Sequence, residues 1–186
     1  MPLIVKDIDG NLLCEVDGPN FLEGRDLRRA DLAYQTLEGA YLEESDLSGA
    51  DLTGADLYWA NAFRARFSQA ILRNVRFNGA TLREADFGGA DLRGAYISYD
   101  NLGGTPTLEG ANLSGALLDG AELKGCGYDE YTRFPEGFQP SEHGMIRVDP
   151  GRIYIRPGSF ASATLAPGYY IPDPDHPGSY IPDKNS

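Results

Sequence analysis

The chain has 186 residues, with 28 acidic and 16 basic side chains and a formal net charge of -12. That charge disfavours direct contact with nucleic acid, and it leaves a basic protein or mimicry of DNA as compatible roles. Gly at 23 and Pro at 12 favour many tight turns over long helices, and no apolar run is long enough to span a membrane.

In chain order, residues 1–19 come first. Leu3–Ile8 and Leu12–Val16 flank Asp9-Gly10-Asn11, which predicts a β-hairpin. Its apolar side chains are expected to cap whatever follows. The stretch lacks a basic region followed by an apolar core, so it does not read as a secretory signal. Bacterial cytoplasm or a virion is the expected location.

A repeat occupies residues 20–128. Stepping by five from Leu22 gives Leu27, Leu32, Leu37, Leu42, Leu47, Leu52, Leu57, Ala62, Phe67, Leu72, Phe77, Leu82, Phe87, Leu92, Ile97 and Leu102. One extra residue enters, and the frame resumes at Leu108, Leu113, Leu118, Leu123 and Tyr128. Of these 22 centres, 16 are Leu and three are Phe; Ala lies two before the centre in 14 units, and Gly two after it in 12. A period of five fits neither a helix nor a flat strand. It requires one corner per unit, so four units close a square coil of 20 residues. The centre and the Ala point inward, and the Gly supplies positive φ in a type II turn. Coils stacked at ~4.8 Å make five and a half turns, a rod of roughly 26 Å.

Stacking by 20 predicts inner columns such as Leu27, Leu47, Phe67, Phe87 and Leu108, or Leu37, Leu57, Phe77, Ile97 and Leu118. Ala62 interrupts the column of Leu22, Leu42, Leu82 and Leu102: either the square narrows there or neighbouring rings fill the gap. Asp100 takes an expected Ala slot beside the extra residue, where a small loop should open and Asp100 should bond a turn. On the outside, Glu44, Arg64 and Glu84 should form one charge ladder, and Asp46, Arg66 and Asp86 another. Tyr58 and Trp59 project from one corner region, Tyr96 and Tyr99 lie two coils further along the same side, and Phe63 sits on the following face. These aromatics either form a docking patch or are covered by the N-terminal segment or the tail.

The units ADLTG (50–54), ADLRG (90–94), ANLSG (111–115) and GAELKG (120–125) resemble the pentapeptide-repeat family, whose pattern is A(D/N)LxG. The resemblance covers about residues 20–130 and is of a cyanobacterial or phage-like kind. It implies an all-β fold, a right-handed quadrilateral β-helix; it is nearly silent on activity, and the non-enzymatic expectation comes from the lack of catalytic motifs. Some members bind type II topoisomerases by imitating DNA. Here residues 20–128 hold 16 acidic and 10 basic side chains, a net of only -6.

Residues 129–150 read as a C-terminal cap. Phe134 and Phe138 should lie over the last coil, and Pro135 and Pro140 should stop further strand pairing. Residues 151–186 read as an extended Pro/Gly/Tyr-rich arm. Its Pro-Gly pairs at 157, 167 and 177 recur every ten residues, and Tyr169, Tyr170, Ile171, Tyr180 and Ile181 are candidate anchors. The arm is expected to be held by a protein partner, either another assembly subunit or another copy; folding back onto its own rod is the alternative.

No catalytic, cofactor or metal site is predicted. His143 and His176 stand far apart without ligand partners at metal spacing, and Cys14 and Cys126 are expected to be reduced and buried. The leading functional expectation is a structural or assembly protein, a phage capsid decoration or tail accessory component being one form. A cytoplasmic adaptor and a DNA-mimicking topoisomerase binder are the alternatives.

Overall fold

The computed structural model describes residues 3–99, 104–148, 170–172 and 180–182. Parallel bridges join residues 20 apart and recur every five residues, so the backbone coils with four faces per turn. The first face carries Asp26, Asp46, Arg66, Asp86 and Asn112; the second Asp31, Asp51, Ile71, Asp91 and Leu117. The third carries Thr36, Asp56, Arg76, Tyr96 and Glu122; the fourth Tyr41, Asn61, Thr81, Thr107 and Gly127.

One unit shows the bonding. Leu27 N–H donates to Asp46 O on the next coil at 2.8 Å, and Asp46 N–H returns to Arg25 O at 2.9 Å. Ala30 N–H closes the corner on Leu27 O at 3.0 Å. The centre and the small residue then line an apolar tube, in which the centres from Leu22 to Leu57 and Phe67, Phe77 and Phe87 are at most 1% exposed. The column Leu27, Leu47, Phe67, Phe87 is as expected, and Phe67 and Phe87 stack with centroids 5.0 Å apart. Phe77 meets both edge-on. Ala62 shares its coil with Phe67 and Phe77, and two rings in place of two leucines offset the volume it gives up.

The inserted segment differs from expectation. Thr107 bridges Thr81, Asn112 bridges Asp86, and Glu122 bridges Tyr96, each across 26 residues. Leu108 therefore stacks on Leu82, Leu113 on Phe87 and Leu123 on Ile97. The step from one coil to the next is thus 26 residues here, six more than the repeat rather than one. The reason lies in the lining. Asp100 would occupy an inward slot with no cation to meet it, and a buried unpaired carboxylate is costly. Pro106 fills that slot instead and is buried; its carbonyl accepts from Gly127 N–H at 3.0 Å. Asp100 and Leu102 themselves lie outside the described residues. Deleting 100–105, with Pro106→Ala, should restore the five-residue step and change stability by less than about 1 kcal/mol, as read by urea unfolding.

Corner residues two after each centre have positive φ, whether glycine or not. Arg29, Tyr34, Glu44, Trp59, Arg64, Gln69, Asn74 and Glu84 all lie between 55° and 60°. In three of the four corner columns each bulky residue is followed by Gly one coil later: Arg29–Gly49–Gln69–Gly89, Tyr34–Gly54–Asn74–Gly94, and Gly39–Trp59–Gly79. A Cβ on Gly54 would stand 2.8 Å from the Tyr34 ring, so the glycine there makes room as well as permitting the turn. In the fourth column the bulky neighbours Glu44, Arg64 and Glu84 alternate in charge.

Strand β1 (Leu3–Asp7) pairs antiparallel with β2 (Leu12–Val16) and with β3 (Ala30–Asp31), so the hairpin extends the second face. Val5 and Val16 are buried against the first coil. At the other end Phe134 and Phe138 pack on the core and stack at 5.2 Å. Strand pairing does not stop at the prolines. After a 3-10 turn at Pro140–His143, β5 (Ile146–Arg147) adds parallel to β4 (Gly127–Tyr128). The prolines remove donors only locally, and the chain is free to return to the fourth face. Both cysteines are free; Cys126 is buried, whereas Cys14 is only half-buried. In the arm, β6 (Tyr170–Pro172) and β7 (Tyr180–Pro182) pair antiparallel, with Ile171 opposite Ile181.

Candidate protein-interaction surface

The third face gathers most of the expected aromatics. Tyr58 follows a centre on that face, and its ring lies 6.3 Å from that of Trp59 on the adjoining corner. Tyr96 lies two coils further along the face, and Tyr99 occupies the corner column of Trp59, with Gly79 between them. Trp59 is 51% exposed and Tyr96 46%. Arg76 stands between Asp56 and Tyr96 in the bridge row. Its guanidinium donates to Asp56 Oδ2 at 2.9 Å and sits 6.0 Å from the Tyr58 ring centroid. Arg76 was absent from the expected surface, although the 20-residue spacing placed it beside Asp56 and Tyr96.

Phe63 is not part of this cluster. It belongs to the fourth face, is half-buried, and carries the Arg64 guanidinium 4.6 Å over its ring. The arm's Tyr170, Ile171, Tyr180 and Ile181 form the β6–β7 pair, and Tyr169 lies outside the described residues. Exposed apolar residues also mark the N-terminal end, where Ile4, Ile8, Leu12 and Phe21 are each more than half exposed.

The electrostatics centre on one coil. Arg64, Arg66, Arg73 and Arg76 project from it, one towards each side of the tube. Arg64 reaches Glu84 at 2.7 Å and Glu44 at 3.8 Å, Arg66 reaches Asp46 at 3.5 Å, and Arg73 reaches Asp91 at 2.5 Å. The Glu44–Arg64–Glu84 ladder is complete, whereas the second keeps only its Asp46–Arg66 rung: Asp86 lies in the same row but accepts instead from Ser68 Oγ at 2.6 Å and Asn112 Nδ2 at 2.7 Å. Arg93 also grips Asp91 with two bonds of 2.8 and 2.7 Å. These bonds from Arg93, aided by Arg73, hold the Asp91 carboxyl well below its ordinary value. The ionised form therefore adds stability above the unfolded pKa near 3.8, which fades as pH falls through the folded value. Asp91→Asn is expected to cost about 1 kcal/mol at neutral pH, since both partners are half in water. It should also flatten the acid limb of a urea-midpoint-against-pH profile.

At the C-terminal end, burial pushes the Glu109 carboxyl up, against the pull of Arg83. His143 is exposed and stacks on Phe138 at 4.4 Å. Among the described residues no group of His, Cys, Asp or Glu is arranged to hold a metal, and no helix is long and apolar enough to cross a membrane.

Comparison with known proteins fits this architecture. The family model for pentapeptide repeats matches eight copies over residues 26–61, 63–98 and 107–126, with a break at the longer step between coils. A crystal structure of alr5209, a pentapeptide repeat protein from Nostoc Pcc 7120, is 32% identical, over 61% of this chain and 85% of that one, with a TM-score of 0.42. Rfr23 from the cyanobacterium Cyanothece 51142 is 32% identical over 57% of this chain and 65% of that one, with a TM-score of 0.38. HetL, involved in heterocyst differentiation regulation in Nostoc sp. strain PCC 7120, is 22% identical over 62% and 71%, with a TM-score of 0.31. No curated protein matches the chain. The chain belongs to the pentapeptide-repeat family, whose members form right-handed quadrilateral β-helices and are generally non-enzymatic proteins of the interaction type.

Proposed function

We propose that this protein is a rigid, non-catalytic docking rod that binds a protein partner through its third face and its C-terminal arm. The observation that carries the reading is the third-face cluster: Tyr58, Trp59, Tyr96 and Arg76 on a frame whose backbone is bonded coil to coil. Aromatic and arginine side chains are the types enriched at the energetic centres of interfaces. A rigid frame presents them with little ordering cost.

Two settings suit such a rod. In an assembly it is a spacer or clamp, a virion decoration or tail accessory component being one form; in a bacterial cytoplasm it is an adaptor. Mimicry of DNA is the weaker reading. A phosphate-like surface needs unbroken acidic columns, and the four-arginine coil interrupts the acidic surface on every side.

A photo-cross-linking residue at Tyr96 tests the reading in cells that make the protein. Discrete protein adducts are expected there, absent from a control position at Thr53 on the second face, and lost on Trp59→Ser. Equal labelling at both positions overturns it. Co-purification of the adduct with particles or with soluble protein then separates the two settings.

A further inference from the structure

We propose that the Tyr-Ile-Pro-Asp repeats of the arm, residues 170–173 and 180–183, dock on the third face of the same chain over Tyr58, Trp59 and Tyr96. The arm is then the resident ligand of this surface, and an outside partner must displace it. This rests on the reading of the third face given above.

The backbone of the arm disfavours strand addition to another sheet. Tyr170 pairs with Pro182, Ile171 with Ile181, and Pro172 with Tyr180. Proline has no N–H, so the two proline pairs are the non-hydrogen-bonded ones and the isoleucine pair carries the bonds. The nitrogens of Pro172 and Pro182 therefore turn to the outer edges of the hairpin, where each edge keeps a single outward donor, the N–H of Tyr170 on one and of Tyr180 on the other. Such an edge is poorly suited to extend another sheet. Docking falls to surface contact rather than strand addition.

The receiving surface matches in chemistry. It offers aromatic rings beside one arginine, and each repeat offers Tyr, Ile and Pro followed by an acid, Asp173 or Asp183. Arg76 is half exposed and engages Asp56 through one nitrogen, so its fork has donors for a second carboxylate.

Reach favours the same chain. Val148 N–H bonds Tyr128 O at 2.7 Å, so the described body ends on the fourth face, which meets the third at the Trp59 corner. From there Tyr58 lies about four coil rises away, roughly 19 Å at the usual strand spacing. The 21 residues 149–169 could bridge at most about 70 Å, well over that distance. A covalent tether that can reach the site gives an effective concentration of up to the millimolar range, above that of free copies.

Trp59 is the only tryptophan in the chain, so it reports on its own cover. In the full chain, Tyr170→Ser, Ile171→Ser, Tyr180→Ser and Ile181→Ser together should redshift Trp59 emission and raise its acrylamide quenching constant about twofold, as a covered ring becomes bare. The difference should persist unchanged through a hundredfold dilution. Thermal melting monitors the coil in the same samples. Unchanged quenching overturns the proposal. A difference that fades on dilution overturns it too, since it assigns the arm to a second copy. The third-face reading fails separately: unchanged quenching with Tyr96 adducts intact leaves that reading standing, and baring of Trp59 without any outside adduct removes it while arm docking holds.

Discussion

Phe67→Ala is expected to lower the unfolding free energy by about 3–5 kcal/mol, the range for removing a buried ring. Phe67 has no exposure, stacks on Phe87 within 5° of parallel and meets Phe77 edge-on at 5.9 Å. The tube cannot collapse around the loss, because the coil already carries Ala62 and the backbone on every side is fixed by bonds to the next coil. Phe67→Leu keeps most of the volume and should cost about 1 kcal/mol. Phe67→Ala and Phe87→Ala combined should cost less than the sum, since the stacked pair is lost only once. Urea unfolding followed by circular dichroism measures all three. A cost below about 1 kcal/mol for Phe67→Ala would mean that the ring is not in the lining.

Leu52→Asp should have a larger effect and leave the chain unfolded at neutral pH. Leu52 sits between Leu32 and Leu72 in an inner column, and the only buried polar side chains among the described residues are Ser45 and Ser98. Among the described residues no cationic side chain is buried in the tube, so the carboxylate would be desolvated and unpaired. That penalty is comparable with the whole stability of a small domain, about 5–15 kcal/mol. Leu52→Met, which keeps volume and polarity, should cost under about 1.5 kcal/mol. Circular dichroism and size-exclusion profiles separate the two outcomes, and a folded, monomeric Leu52→Asp protein would contradict the inward orientation.

Both predictions draw on features legible in the sequence. The five-residue step fixed which side chains face in, and the 20-residue coil fixed which ones touch, so the Phe67–Phe87 stack and the Glu44–Arg64–Glu84 ladder followed from counting. The count went astray at Leu102 because that residue satisfies the leucine pattern while Asp100 violates the lining rule. Weighing the inward slot above the centre would have placed the longer step there. Two other features had no periodic signal. The return of the chain to pair at Ile146 depends on how the Phe134 and Phe138 lid crosses the end. The pairing of the arm depends on where proline nitrogens point, whereas repeated Tyr-Ile-Pro motifs read one at a time describe an extended strap. The third-face cluster was legible for its aromatics and missed for Arg76, which the coil repeat places in the same row.

The alternation of bulky and glycine corners sets a rule for changing the length of this protein. Duplicating one coil, such as 42–61, would set Glu44 beside a second Glu44 and Trp59 against another Trp59. Duplicating the doublet 42–81 preserves every alternation, including the order of charges. Growth by insertion is thus quantised in blocks of forty residues, and a ruler cut from this scaffold would be graduated in steps of about 10 Å, twice the strand spacing.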